Sequence, residues 1–180
     1  MFVQTEVTPN PNSLKFLPGK TVSNNGSFEV TKKEEIDNEL VRNLLSINGV
    51  TSVFLGKDFL SVNKTKDMNW EEIKHIVISL INEFYLTGKE SVIESSLFKE
   101  NKLELKEIEK QIIKILDSKI RPAVAKDGGD IKFKEYKDGV VKVELQGSCS
   151  GCPSSTMTLK QGVQNLLCHY LPEVKEVIAV

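Results

Sequence analysis

Gly147-Ser148-Cys149-Ser150-Gly151-Cys152-Pro153 is the stretch on which this 180-residue chain turns. Ahead of it Val141, Val143 and Leu145 alternate with Lys142, Glu144 and Gln146, the period of a strand with one buried face. Behind it Leu159, Val163, Leu166, Leu167 and Tyr170 recur at helical spacing, and Pro153 suits a first helical turn. Strand, glycine-flanked cysteine loop, helix is therefore the expected local order. Two of the three cysteines lie in that loop.

Outward toward the C-terminus, Pro172 stops the helix and Val174 to Val180 reads as a last strand. Outward toward the N-terminus, Asp138-Gly139 is a hairpin turn, and Ile131 to Lys137 is the strand it joins. Asp127-Gly128-Gly129-Asp130 reads as a turn that needs glycine dihedrals, not as a metal site. Before it a long helix from about Leu103 to Arg121 carries Ile108, Ile112, Ile115, Leu116 and Ile120, and Arg121-Pro122 ends it. The order is helix, strand, strand, helix, strand. A mixed three-stranded sheet covered on one face by two helices, with a right-handed crossover, buries both stripes.

Residues 102–180 make that unit, 88–101 is a polar linker, and 1–87 forms a second small α+β unit. In the latter, Phe2 to Thr8 and Ser13 to Leu17 are strand candidates around the loop Thr8-Pro9-Asn10-Pro11-Asn12, read as a rigid turn. A helix is expected between Lys33 and Asn48. Strands follow at Val50 to Leu55 and Phe59 to Val62, and a helix opened by a capping box of Asn69 and Glu72 carries Trp70, read as core. The fold class is α+β, with two small domains.

Composition excludes several functions. Lys plus Arg is 24 against 25 Asp plus Glu, so no basic footprint for nucleic acid exists. No apolar run approaches the ~20 residues that cross a bilayer. The first residues lack signal-peptide and transit-peptide character, and three cysteines suit a reducing compartment. The expectation is a cytoplasmic bacterial protein, with a mature mitochondrial matrix form kept beside it. No nucleophile–base pair is visible, so no enzymatic activity is expected.

Cys149 and Cys152 are spaced to hold one metal centre, and a helix start beside them stabilises thiolate. Zinc or an iron–sulfur cluster takes four ligands, and this loop offers two. Cys168 lies 16 residues beyond Cys152, roughly 24 Å along a continuous helix, too far to share a cluster. It also falls opposite the Leu159 stripe and reads as an incidental thiol. His75 and His169 read as helix-surface residues. A second copy of the chain is the simplest source of the missing thiolates. Such an exposed, shared site suits giving a cluster away. The same pair could serve a dithiol/disulfide oxidoreductase, although only 28 residues follow Cys152, too few for a thioredoxin-type fold. Ser148, Ser150 and Ser154 could donate hydrogen bonds to cluster sulfurs or act as local caps.

Arg121-Pro122, Asp127-Gly128-Gly129-Asp130, the run from Gly147 to Leu159 and Leu171-Pro172-Glu173-Val174 together resemble the C-terminal domain of the NifU-like (Nfu-type) iron–sulfur carrier family. Residues 1–87, led by Thr8-Pro9-Asn10-Pro11-Asn12-Ser13-Leu14-Lys15-Phe16, resemble its N-terminal domain. The resemblance implies a homodimer binding one 4Fe–4S cluster through Cys149 and Cys152 of each subunit. It implies an upstream assembly scaffold as donor and apo iron–sulfur proteins as clients. Four thiolates suit 2Fe–2S as well.

Overall fold

The structure, a computed structural model, describes residues 2–93, 104–150 and 153–180, and the side chains of 153–155 fall outside that description. Two sheets organise it, each with its own apolar core. The first contains β1 (Gln4–Val7), β2 (Ser13–Leu17), β3 (Phe28–Val30), β4 (Val50–Leu55) and β5 (Leu60–Lys64). All pairs are antiparallel, in the order β1-β2-β5-β4-β3. Helices α1 (Glu39–Leu45) and α2 (Trp70–Leu86) cover one face. Leu14, Phe16, Val53, Leu55, Leu60 and Val62 from the strands meet Leu40, Leu44, Ile73, Val77 and Ile81 there.

Four details depart from the expected first domain. β3 is a fifth strand, and the helix expected from Lys33 is confined to α1. A single 3-10 turn precedes it at Lys33–Glu35, and Ile36 is extended. Asn38 then caps α1 through its side chain, accepting from the Val41 N–H at 3.1 Å. Asn69 precedes α2 without a side-chain capping bond, so the expected capping box is corrected to a backbone bond from Glu72 N to Asn69 O. Trp70 is only partly buried, with its ring edge-on to Phe16 and its indole N–H donating to Pro11 O. It props the proline loop against the core rather than sitting inside it.

Within the expected linker, Val92 and Ile93 are buried in the first core, and Ile93 bridges to Ser23. The rest of that stretch, 94–101, lies outside the described residues.

In the second domain α3 (Glu107–Ile115) runs into a π-helical turn at Leu116–Ile120 and then α4 (Arg121–Lys126). The helix thus continues past Pro122, where an end was expected. The wider turn relieves the constraint: Pro122 falls in the first turn of a new segment, where a missing N–H costs nothing. β6 (Gly129–Lys137) and β7 (Val140–Gly147) form the hairpin, and β8 (Glu176–Ala179) pairs parallel to β7. At the turn Asp138 and Gly139 both have positive φ, 51° and 82°, as a two-residue hairpin loop requires. α5 (Pro153–Tyr170) connects β7 to β8. Ile112, Leu116, Val163 and Leu167 close over Ile131, Val141, Val143 and Val177. Among the described residues no helix is long and apolar enough to cross a membrane.

The two domains meet on the other face of the first sheet. Ser52, Phe54, Ser61, Asn63 and Lys15 alternate with the core residues and point away from α1 and α2. An antiparallel sheet ordinarily leaves such a face in water. Here all five are buried, because the cysteine loop and the turn before β6 lie on them.

Candidate functional site

The cysteine loop leaves β7 at Gly147, whose φ of 67° lies in the left-handed region. A Cβ built there would stand 2.5 Å from Gly128 O and 3.0 Å from the Phe54 ring. Only glycine satisfies both the backbone turn and this approach. The chain then tightens: Ser150 donates from its N–H and hydroxyl to Gly147 O, at 3.2 and 2.8 Å. Ser148 donates its N–H to Gly128 O and its hydroxyl to Asp127 O. The hydroxyls of Ser148 and Ser150 are therefore engaged in shaping the loop; the Ser154 side chain lies outside the described residues.

Cys149 is 7% exposed and its sulfur lies against Gly129, where an added Cβ would fall 2.8 Å from Sγ. Gly129 thus gives the thiol its room. The Cys149 carbonyl accepts from Thr156 Oγ1 on α5 at 3.3 Å, which ties the loop to the helix start. Beside the thiol opens a groove of about 780 Å³, lined by Pro9, Ile120, Val124, Leu159 and Val163. Cys152, the other expected ligand, lies outside the described residues. A thiol set in a glycine-lined recess, ahead of a helix start, has the donor chemistry for a thiophilic metal or cluster.

Other sequence candidates fall away from this point. Cys168 is partly buried against the second core, not turned clear of it as its helical position suggested. His75 and His169 are exposed on their helices. Among the described residues no three His, Cys, Asp or Glu side chains come together as a metal group. Asp130 has a different partner: Arg121 grips it with two bonds of 2.8 Å, and Ser27 of the first domain donates to it. Burial works to raise the Asp130 carboxyl, but Arg121 and Ser27 outweigh it and hold the group below the ordinary range. Arg121 is correspondingly pushed up by its bonds to Asp130. Arg121 and Asp130 thereby fix the turn that carries Gly129.

Sequence reasoning missed the first domain's share of the site. Asn10 donates to the carbonyls of Ser148 at 3.1 Å and Ser150 at 3.5 Å. Asn63 donates to Gly147 O at 3.0 Å, and Ser61 to Gly128 O at 2.6 Å. Glu29 accepts from Ser52 Oγ at 3.1 Å and shares the Ser150 hydroxyl proton with Gly147 O, its oxygen 3.2 Å from Ser150 Oγ. Burial raises its carboxyl above the ordinary range against these bonds. Asn10 itself is fixed by the proline loop, since its Oδ1 accepts from Asn12 N and its N–H donates to Thr8 Oγ1. The paired prolines were the only signal available for that role.

Fold and loop together define a class: two α+β domains, the second presenting a strand–cysteine loop–helix unit. Comparison with known proteins makes it specific. A family model described as "NifU-like domain" matches residues 112–178, and one described as "Scaffold protein Nfu/NifU N terminal" matches 3–88. The chain belongs to this NifU-like family. It is 43% identical over 180 residues to the human "NFU1 iron-sulfur cluster scaffold homolog, mitochondrial", covering 98% of this chain and 71% of that one. It is 39% identical over 184 residues to "NifU-like protein 4, mitochondrial" of Arabidopsis thaliana, covering 98% and 65%. The Drosophila ananassae relative, named like the human one, is 42% identical over 181 residues, covering 98% and 63%. This chain therefore spans about two thirds of these relatives' length.

Those names correct one expectation. A cytoplasmic protein was expected, yet these relatives are named mitochondrial. Cysteine usage reports a reducing compartment, and it does not distinguish cytosol from matrix.

Proposed function

We propose that this chain is an iron–sulfur cluster carrier. It binds one 4Fe–4S cluster between two copies, through Cys149 and Cys152 of each, and passes it to apo client proteins. The observation that carries the reading is the Cys149 recess: a thiol held against Gly129, its backbone tied to α5, in a chain whose relatives are named cluster scaffolds. One loop supplies two thiols and a cluster takes four ligands, so the second copy completes the set. Gly129 leaves the Cys149 sulfur its room, and the start of α5 favours thiolate. Cargo held at a surface shared between copies is exchangeable, which favours delivery over storage. The role requires no catalytic group, only donors upstream and clients downstream.

Anaerobic reconstitution with iron and sulfide, followed by iron analysis and light scattering, tests this. About two irons per chain in a dimer is the expected outcome. Iron-free monomer with a reversible Cys149–Cys152 disulfide sinks it in favour of dithiol exchange. Cys149→Ser should abolish cluster binding and leave the apo chain folded, read by circular dichroism, whereas Cys168→Ser should bind normally.

A further inference from the structure

We infer that the first domain is a detachable cover for the cysteine loop, so that cluster uptake begins with its release. This rests on the carrier reading, and assigns the first domain a part in it.

The contact has a distinctive chemistry. Beside the side-chain bonds from Ser27 to Asp130 and from Ser150 to Glu29, Asn10, Ser61 and Asn63 each send a donor across to a main-chain carbonyl of the loop or of the turn beneath it. Lys15 adds a fourth donor, to Lys126 O at 3.4 Å. Carbonyl and following N–H point opposite ways across a planar peptide. Capturing the Ser148 carbonyl therefore turns the Cys149 N–H away from the first domain and pins the segment on which the thiol rides. In that pinned state Cys149 is 7% exposed, its sulfur packed on Gly129.

The seam is built to open. Its aromatic contacts include Phe54, set on Gly147, and Phe28, whose ring faces Lys132 Nζ at 5.4 Å. Asn63 Oδ1 is buried on it, and Gln146 Oε1 and Ser13 Oγ are buried on the strands leading into it, with no hydrogen-bond partner among the described residues. Buried polar atoms left so weaken a contact that polar bonds otherwise hold, and polar seams between domains are the ones that move. Closed, the loop backbone is held by the first domain; open, the loop is free to face a second copy.

The full-length apo chain tests this through the rate at which iodoacetamide alkylates Cys149, followed by peptide mass spectrometry. Asn10→Ala/Asn63→Ala removes two donors, Ser61→Ala is a milder seam variant, and Asn38→Ala weakens the first domain at the α1 cap without touching the seam. The double variant should alkylate roughly tenfold faster than wild type, Ser61→Ala a few-fold faster, and Asn38→Ala at the wild-type rate. Cluster uptake from iron and sulfide should quicken in the same order. Equal alkylation in every variant overturns the cover, as does faster alkylation with slower uptake, which would make the contact a support. Alkylation needs no cluster, so a chain that takes up no iron yet responds this way refutes the carrier and keeps the cover.

Discussion

Gly147 leaves no space for even one carbon, and Gly147→Ala is the sharpest single-residue test of the site. Left-handed backbone costs an alanine about 1 kcal/mol, and the clash with Gly128 O adds to it. A loss of roughly 2 kcal/mol or more is expected in urea denaturation. Two carboxylates at the seam respond to pH with opposite sign. Asp130 is held low, so its contribution is present above the ordinary carboxylate range and is lost as pH falls through its lowered value. Asp130→Asn should cost about 2 kcal/mol near neutrality, discounted because Arg121 is partly in solvent, and should flatten the acid limb of stability. Glu29 is held high. Its contribution is present below the ordinary range and lost as pH rises through its raised value. Glu29→Gln should remove that loss, so denaturation midpoints at pH 5 and pH 8 lie closer together than in wild type.

At the level of elements the hairpin is the cleanest case. Gly139 has positive φ, and a Cβ there would meet Glu173 O at 3.1 Å and the Lys175 side chain at 3.0 Å. Gly139→Ala should cost about 1 kcal/mol or more, seen as a lower Tm. That turn, the strands beside it and the stripe of α5 were legible because alternation and helical spacing are local properties. The bulk of the first domain was legible for the same reason. What escaped had no local signature. β3 is three residues long and half-buried, too short for any period to show. Leu116 to Ile120 carries the same apolar spacing in a π turn as in an α-helix, and Pro122 read as a stop because the widening before it is invisible in residue type. Ser52, Ser61 and Asn63 alternate with apolar neighbours just as a water-facing row does. Only the placement of the second domain turns that row into half of a site.

For the molecule as a whole, a sheet covered on both faces couples two cores that could otherwise unfold apart. Wild-type apo chain should melt in one transition, because opening either core strips cover from the other. Phe54→Ala removes the ring on Gly147 without entering the first core, and should resolve two transitions by calorimetry. A single unchanged transition would show that the seam carries no coupling. The family assignment fits this layout, since separate family models match the two portions of the chain.

The bonds that Asn10, Ser61 and Asn63 send to the loop and the turn beneath it end on peptide oxygens, which every residue type possesses. Their recognition is thus indifferent to what the loop's side chains are and strict about the path its backbone takes. Ser150 could be exchanged for another small residue, at the loss only of its hydroxyl bonds, while a one-residue insertion between Gly147 and Cys149 would misalign the carbonyls from their donors. The loop is free to drift in spelling and bound in length.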